Sequence, residues 1–171
     1  MCQTRPTPLS PPYKLSPDGA QLMYSVNRGE KTSLVLHGKR EAEYQGIELI
    51  YGGGLLSPDG SSHAFVMKQG RKLCVVVNGR YGPAFDSVLL GRGAFSPDSS
   101  RLGYFAMVDS KVFLVCGDAR GPECELAFQS QPDLTQCLLM PFEIHFAPDG
   151  TEIGYAAFIG RELWWRTLDL R

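Results

Sequence analysis

The sequence predicts an all-β chain, a β-propeller built of four four-stranded blades. Three observations carry that expectation. A turn block recurs four times at near-constant spacing, as Ser16-Pro17-Asp18-Gly19, Ser57-Pro58-Asp59-Gly60, Ser96-Pro97-Asp98-Ser99 and Ala147-Pro148-Asp149-Gly150. Each copy leads into the same order of short apolar segments and polar turns. Several of those segments are apolar at every position, and none keeps a helical period for three turns. Repeats spaced by about 40 residues belong to solenoids, propellers and arrays. A continuously apolar strand is buried on both faces, which a two-layer sandwich does not provide and radially stacked sheets do.

The elements follow in order after each block. A first apolar segment with an aromatic comes at Leu22-Met23-Tyr24, Ala64-Phe65-Val66, Leu102-Gly103-Tyr104 and Ile153-Gly154-Tyr155. A polar turn comes next, at 27–32, 68–72, 108–111 and 159–161. A second apolar run follows at 33–36, 73–77, 112–115 and 163–165, then a turn at His37-Gly38-Lys39, Asn78-Gly79-Arg80 and Gly117-Asp118. A closing strand is expected near 45–49, 85–89 and 125–128, and the strand entering the next block completes a set of four. In the block itself proline presets φ at the second turn position. Aspartate accepts from neighbouring backbone N–H groups, and glycine tolerates positive φ. Pro17, Asp18, Pro58, Asp59, Pro97, Asp98, Pro148 and Asp149 are therefore read as turn residues. The four carboxylates lie about a blade apart, too far for a calcium ion that needs six to eight oxygens in one small sphere.

The chain has 171 residues, 43% of them hydrophobic and 20% charged, an ordinary globular balance for one folded unit. A proline-rich segment, 1–12, precedes the propeller, 13–171, with blades at about 13–50, 51–90, 91–140 and 141–171. No apolar run is long enough to span a membrane, and 1–12 has no apolar stretch like that of a signal peptide. Cys2 directly after Met1 fits a mature lipoprotein, but the preferred reading is an incidental cysteine. A net charge of -1 argues against a general nucleic-acid binder, which carries a basic excess.

Chemistry-bearing patterns are sparse. Five cysteines form no CxxC, and Cys74 and Cys116 sit in apolar runs where a thiol acts as a small hydrophobe. Reduced core thiols are expected there. His37, His63 and His145 have no partners at ligand spacing, so neither a metal nor a cofactor is expected. No nucleophile–base pair can be named, so there are no candidate catalytic residues. Gly52-Gly53-Gly54 and Gly91-Arg92-Gly93 lack the Lys-Ser/Thr and helix of a phosphate loop; they read as close backbone approaches or bulges.

The unit Phe95-Ser96-Pro97-Asp98-Ser99-Ser100-Arg101-Leu102-Gly103-Tyr104, followed by a Val-Phe-Leu-Val strand, resembles the TolB-type, WD-repeat-like β-propeller repeat of bacterial proteins. The stretch Val75 to Pro83 resembles the strand and turn between such blocks. The resemblance covers the chain from about Pro12 onward. It implies a periplasmic or cell-envelope setting, with the cytoplasm left open, and a protein-interaction role. The chain departs from the family in having four units where relatives have six or more. Its last unit also lacks an outer strand.

Two routes complete the ring: the N-terminal segment supplies the strand, or two open arcs pair into a homodimer. Pairing is the favoured expectation, with Leu163, Trp164 and Trp165 placing large apolar groups on both faces of the last blade and Trp164 and Trp165 as its interface. A fragment of a larger propeller is the third possibility.

Charge sorting supplies the functional clue. Arg28, Lys31, Lys68, Arg71, Lys72, Arg92, Lys111 and Arg161 fall on turns expected to share one rim, against Glu30, Asp109 and Glu162. The expectation is a non-catalytic scaffold that binds an acidic protein through this rim or the channel mouth. The alternative is an enzyme or enzyme accessory, gating a peptidase or holding a metal-dependent carbohydrate-acting site.

Overall fold

The computed structural model describes residues 13–28, 31–36, 38–45, 54–123, 144–159 and 162–171. Among them there is no helix, and the strands form four antiparallel sheets in sequence order. The first sheet runs β1 (Tyr13–Leu15), β2 (Leu22–Arg28), β3 (Lys31–Leu36), β4 (Lys39–Gln45). The second runs β5 (Leu55–Leu56), β6 (His63–Gln69), β7 (Lys72–Val77), β8 (Arg80–Phe85). The third runs β9 (Ser87–Phe95), β10 (Leu102–Val108), β11 (Lys111–Cys116), β12 (Ala119–Arg120). The fourth has three described strands, β13 (Ile144–Phe146), β14 (Glu152–Ile159) and β15 (Glu162–Asp169). Every neighbouring pair in a sheet is sequential, so each sheet is an up-and-down meander, the blade of a propeller.

Among the described residues the core forms three seams between sheets rather than one central mass. Met23, Leu34 and Leu36 meet Phe65, Met67, Cys74 and Val76 between the first and second sheets. Ala64, Val66 and Val75 meet Tyr104, Ala106, Phe113 and Val115 between the second and third. Phe105, Met107, Leu114 and Cys116 meet Ile153, Tyr155 and Ala157 between the third and fourth. Successive residues of one strand point to opposite faces. That period explains why β7 and β11 must be apolar at nearly every position: odd residues fill one seam and even residues the next.

The closing strands stand earlier than the sequence reading put them. β4, β8 and β12 begin at Lys39, Arg80 and Ala119, immediately after their tight turns. The Asn78-Gly79 turn shows why: both residues take positive φ (50° and 77°), the two-residue hairpin geometry that pairs Val77 directly with Arg80. The expected strand at 85–89 divides, with Phe85 ending β8 and Ser87 opening β9. Between them the Asp86 N–H already bonds the Met107 carbonyl of the third sheet, at 2.9 Å. The expected strands near 45–49 and 125–128 otherwise lie outside the described residues.

Gly93 behaves as expected of a bulge. The β9–β10 register jumps between the Gly103–Ala94 and Phe105–Leu89 pairs. A Cβ on Gly93 would lie 2.7 Å from the Gly103 carbonyl oxygen and 3.0 Å from that of Leu90. Gly54 is similar, with φ 145° and the Ala64 oxygen 2.7 Å from where a Cβ would sit.

Candidate functional site

The repeated block folds into one structure four times. The first residue's N–H donates to the carbonyl five positions on: Ser16 to Gln21, Ser57 to Ser62, Ser96 to Arg101, Ala147 to Glu152. The fourth residue's N–H donates back to the first carbonyl. In the three serine copies the hydroxyl donates to the block aspartate and accepts the N–H of Gln21, Ser62 or Arg101. The aspartate also accepts the N–H two residues on, from Ala20, Ser61, Ser100 or Thr151. These bonds hold all four carboxyls below their usual range. The Ser16, Ser57 and Ser96 hydroxyls lead for Asp18, Asp59 and Asp98, and the Thr151 N–H leads for Asp149. Asp98 falls to about 2.

Each turn also touches the next. Gln21 lies against Gly60, Ser99 Oγ accepts the Asp59 N–H at 3.2 Å, and Arg101 Nη1 donates to the Gly150 carbonyl at 3.1 Å. The block aspartates are thus spent on turn and inter-sheet bonds. Among the described residues no group of acidic, histidine or cysteine side chains has the makings of a metal site.

A cleft of about 540 Å³ opens beside these turns, between the outer strands of the second sheet and the third. Arg80, Tyr81, Asn78, Ser100, Arg101 and Asp118 line its polar wall, and Val75, Leu102 and Tyr104 its apolar floor. Tyr81 is among the large exposed apolar side chains, and burial pushes the Tyr104 hydroxyl up to about 12. Sequence reasoning missed this cleft. Its one signal was the Asn-Gly-Arg-Tyr-Gly-Pro segment, which read only as a turn and as part of the resemblance to TolB-type repeats.

The opposite rim carries the basic turns. Lys68, Arg71 and Lys72 border the β6–β7 turn and are exposed; Lys111 opens β11 and is exposed. Asp86 joins the two turns: one carboxyl oxygen binds Lys72 Nζ and the other accepts the Asp109 N–H at 2.9 Å. That arrangement, with Lys72 as the leading cause, lowers the Asp86 carboxyl. Lys111 pairs with Glu123 at 2.8 Å. Lys72 and Lys111 therefore face carboxylates that sequence reasoning did not count. Arg28 and Lys31 pair across β2 and β3, but their side chains, that of Arg92, and Arg161 lie outside the described residues.

On the fourth sheet, Trp164 pairs with Ala157 and so lies on the face turned to the third sheet, while Trp165 pairs with Ala156 on the outward face. Trp165 lies across Gly154, where a Cβ would come within 2.3 Å of its ring, and its ring centroid is 5.8 Å from that of His145. Cys74 and Cys116 are buried free thiols; Cys2, Cys124 and Cys137, and His37, lie outside the described residues.

No protein-family model and no curated protein matches the sequence. Solved structures do match in shape. TolB from Acinetobacter baumannii superposes over 92% of this chain and 40% of its own, with a TM-score of 0.50 at 15% identity. The chain has the fold of the TolB-type β-propellers. It spans about two fifths of the length of that TolB. A putative TolB from Agrobacterium tumefaciens matches over 94% of this chain and 61% of its own, with a TM-score of 0.42 at 14% identity. A putative 6-phosphogluconolactonase from Bacteroides uniformis matches over 85% and 46%, with a TM-score of 0.32 at 17% identity.

Proposed function

We propose that this chain is a non-catalytic propeller scaffold for protein–protein interaction, working as a homodimer and receiving an acidic protein partner on the rim around the β6–β7 and β10–β11 turns. The observation that carries this reading is the exposed Arg71, with Lys68, beside the Asp86 hinge that holds both turns in place. Cationic side chains on rigidly held turns steer acidic partners and give binding that weakens with salt. The TolB-type fold supports a scaffold role by analogy of fold, which is a weaker warrant than the site.

Lys72 is a poor target for the test, because removing it also loosens Asp86 and the turn at Asp109. The clean variant is Arg71→Glu, at an exposed position of the β6–β7 turn. The probe is fluorescent poly-glutamate, titrated at low and physiological salt. The wild type binds with a salt-dependent affinity. The variant weakens it about threefold, one surface charge at roughly 0.5–1 kcal/mol. Unchanged affinity and an unchanged salt slope overturn the rim.

A further inference from the structure

We infer that the cleft between the second and third sheets binds a small organic acid, with its carboxylate on Arg80, its apolar body on Val75 and Leu102, and a second polar group at the Tyr104 hydroxyl. The cleft lies on the rim opposite the basic turns, so this site stands or falls apart from the rim reading above.

The β7–β8 hairpin aims Arg80 into the cleft. Arg80 pairs with Val77 across the Asn78-Gly79 turn. Directly paired residues share a face of the sheet, and Val77 packs into the seam with the third sheet. The Arg80 side chain therefore stands on the cleft side, and it is exposed. Among the described residues it makes no ion pair and no hydrogen bond. The other two charged groups of the lining, Arg101 and Asp118, are of opposite sign, and one N–H of Arg101 is held by the Gly150 carbonyl. Arg80 is left as the uncompensated charge. A single positive charge matches a carboxylate better than a doubly charged phosphate, and a guanidinium can hold a carboxylate by two parallel bonds.

At the floor stands a polar group that the fold does not use. Tyr104 is 5% exposed, and its ring meets that of Phe85 edge-on. Its hydroxyl reaches β8, 3.9 Å from where a Cβ on Gly82 would sit, and makes no hydrogen bond among the described residues. Burial keeps that hydroxyl protonated, so it can both donate and accept. A buried polar group without a partner is costly, and a ligand atom that bonds it recovers the cost.

The next seam shows that the site is particular to this one. Gly121-Pro122 repeats Gly82-Pro83, Tyr155 repeats Tyr104, and Ala119 pairs with Cys116 as Arg80 pairs with Val77. There Tyr155 is 0% exposed, and a Cβ on Gly121 would lie 2.8 Å from its hydroxyl. That seam is closed over its tyrosine and carries alanine at the place of Arg80. Between the second and third sheets the same construction opens to about 540 Å³ and gains a cation. Clefts of that size take small molecules.

Heteronuclear NMR titration of the full chain tests this, with para-hydroxyphenylacetate, its uncharged amide, and phenylacetate as probes. The acid is expected to give saturable shifts at Gly82, Leu102 and Tyr104, and the amide to bind about tenfold more weakly. Arg80→Gln is expected to weaken the acid about tenfold and to leave the amide unchanged. Tyr104→Phe keeps the ring and is expected to weaken para-hydroxyphenylacetate while binding phenylacetate as the wild type does. Circular dichroism checks that each variant keeps its fold. Arg80 is exposed, so the acid–amide comparison in Arg80→Gln decides the matter even if Tyr104→Phe does not fold. No saturable shift at these residues, or equal affinity of the wild type for acid and amide, overturns the site. An Arg80→Gln variant that binds the acid as tightly as the wild type overturns the seat of the carboxylate, and a Tyr104→Phe variant that binds para-hydroxyphenylacetate unchanged overturns the role of the hydroxyl.

Discussion

At the scale of single residues, the block aspartates show how an exposed carboxylate can be committed to structure. Asp98 accepts from the Ser96 hydroxyl at 2.5 Å and from the Ser100 hydroxyl at 2.7 Å and N–H at 3.2 Å. Each of these bonds favours the ionised form. The folded-state value of about 2 lies below the ordinary 3.8. The stabilising contribution is therefore complete above about pH 4 and is lost as pH falls through the folded value. Asp18, Asp59 and Asp149 shift the same way, so their effects run together. Urea denaturation at pH 7, 4 and 2.5 is expected to show stability dropping between the last two. In Asp98→Asn the drop is smaller, because one depressed carboxyl no longer titrates. An equal drop in wild type and variant contradicts this assignment.

At the scale of the element, the fourth turn departs from the other three in a useful way. Ala147 keeps both backbone bonds of the turn but has no hydroxyl to bridge Asp149 and the Glu152 N–H. In the third turn Ser96 is fully buried, and its hydroxyl accepts the Arg101 N–H at 2.9 Å. Ser96→Ala removes that acceptor, at a cost of about 1–3 kcal/mol for a donor left unpaired. Ala147→Ser installs the missing bridge and is expected to stabilise by about 0.5–1.5 kcal/mol. Thermal or urea unfolding of the pair reads both signs. Should Ala147→Ser lower stability while Ser96→Ala also lowers it, the turns are not equivalent and the hydroxyl bridge is not a shared device.

At the scale of the whole molecule, the seams make the two described thiols reporters of sheet separation. Cys74 lies in the seam of the first and second sheets and Cys116 in that of the third and fourth. Burial raises both, Cys116 to about 11, so neither is a ready thiolate in the folded chain. Site-resolved alkylation by iodoacetamide at pH 8 is expected to leave both unmodified in the folded protein and to label both in urea. Labelling of Cys116 alone under native conditions would show that the fourth sheet parts from the third without global unfolding. Such local opening is common at the ends of repeat arrays.

Much of the architecture was legible because it is periodic. The block at Ser16, Ser57, Ser96 and Ala147 marks the start of each hairpin, and the unbroken apolar runs of β7 and β11 announce burial on both faces. The strand ends were less legible. Two-residue turns such as Asn78-Gly79 leave no spacer between strands, and Asp86 sits inside what reads as an apolar run. The candidate site was the least legible of all. Which rim Lys72 and Lys111 share could be reasoned from alternation, but the carboxylates that meet them come from Asp86 and Glu123, 14 and 12 residues away. The cleft between Tyr81 and Arg101 likewise joins separate sheets. Local turn chemistry and side-chain period act within a few residues, so the sequence alone determined the repeat, the strands and their two-sided burial. Charge pairing, clefts and the two differing faces of each sheet arise only when distant strands are brought together, and these the tertiary structure decided.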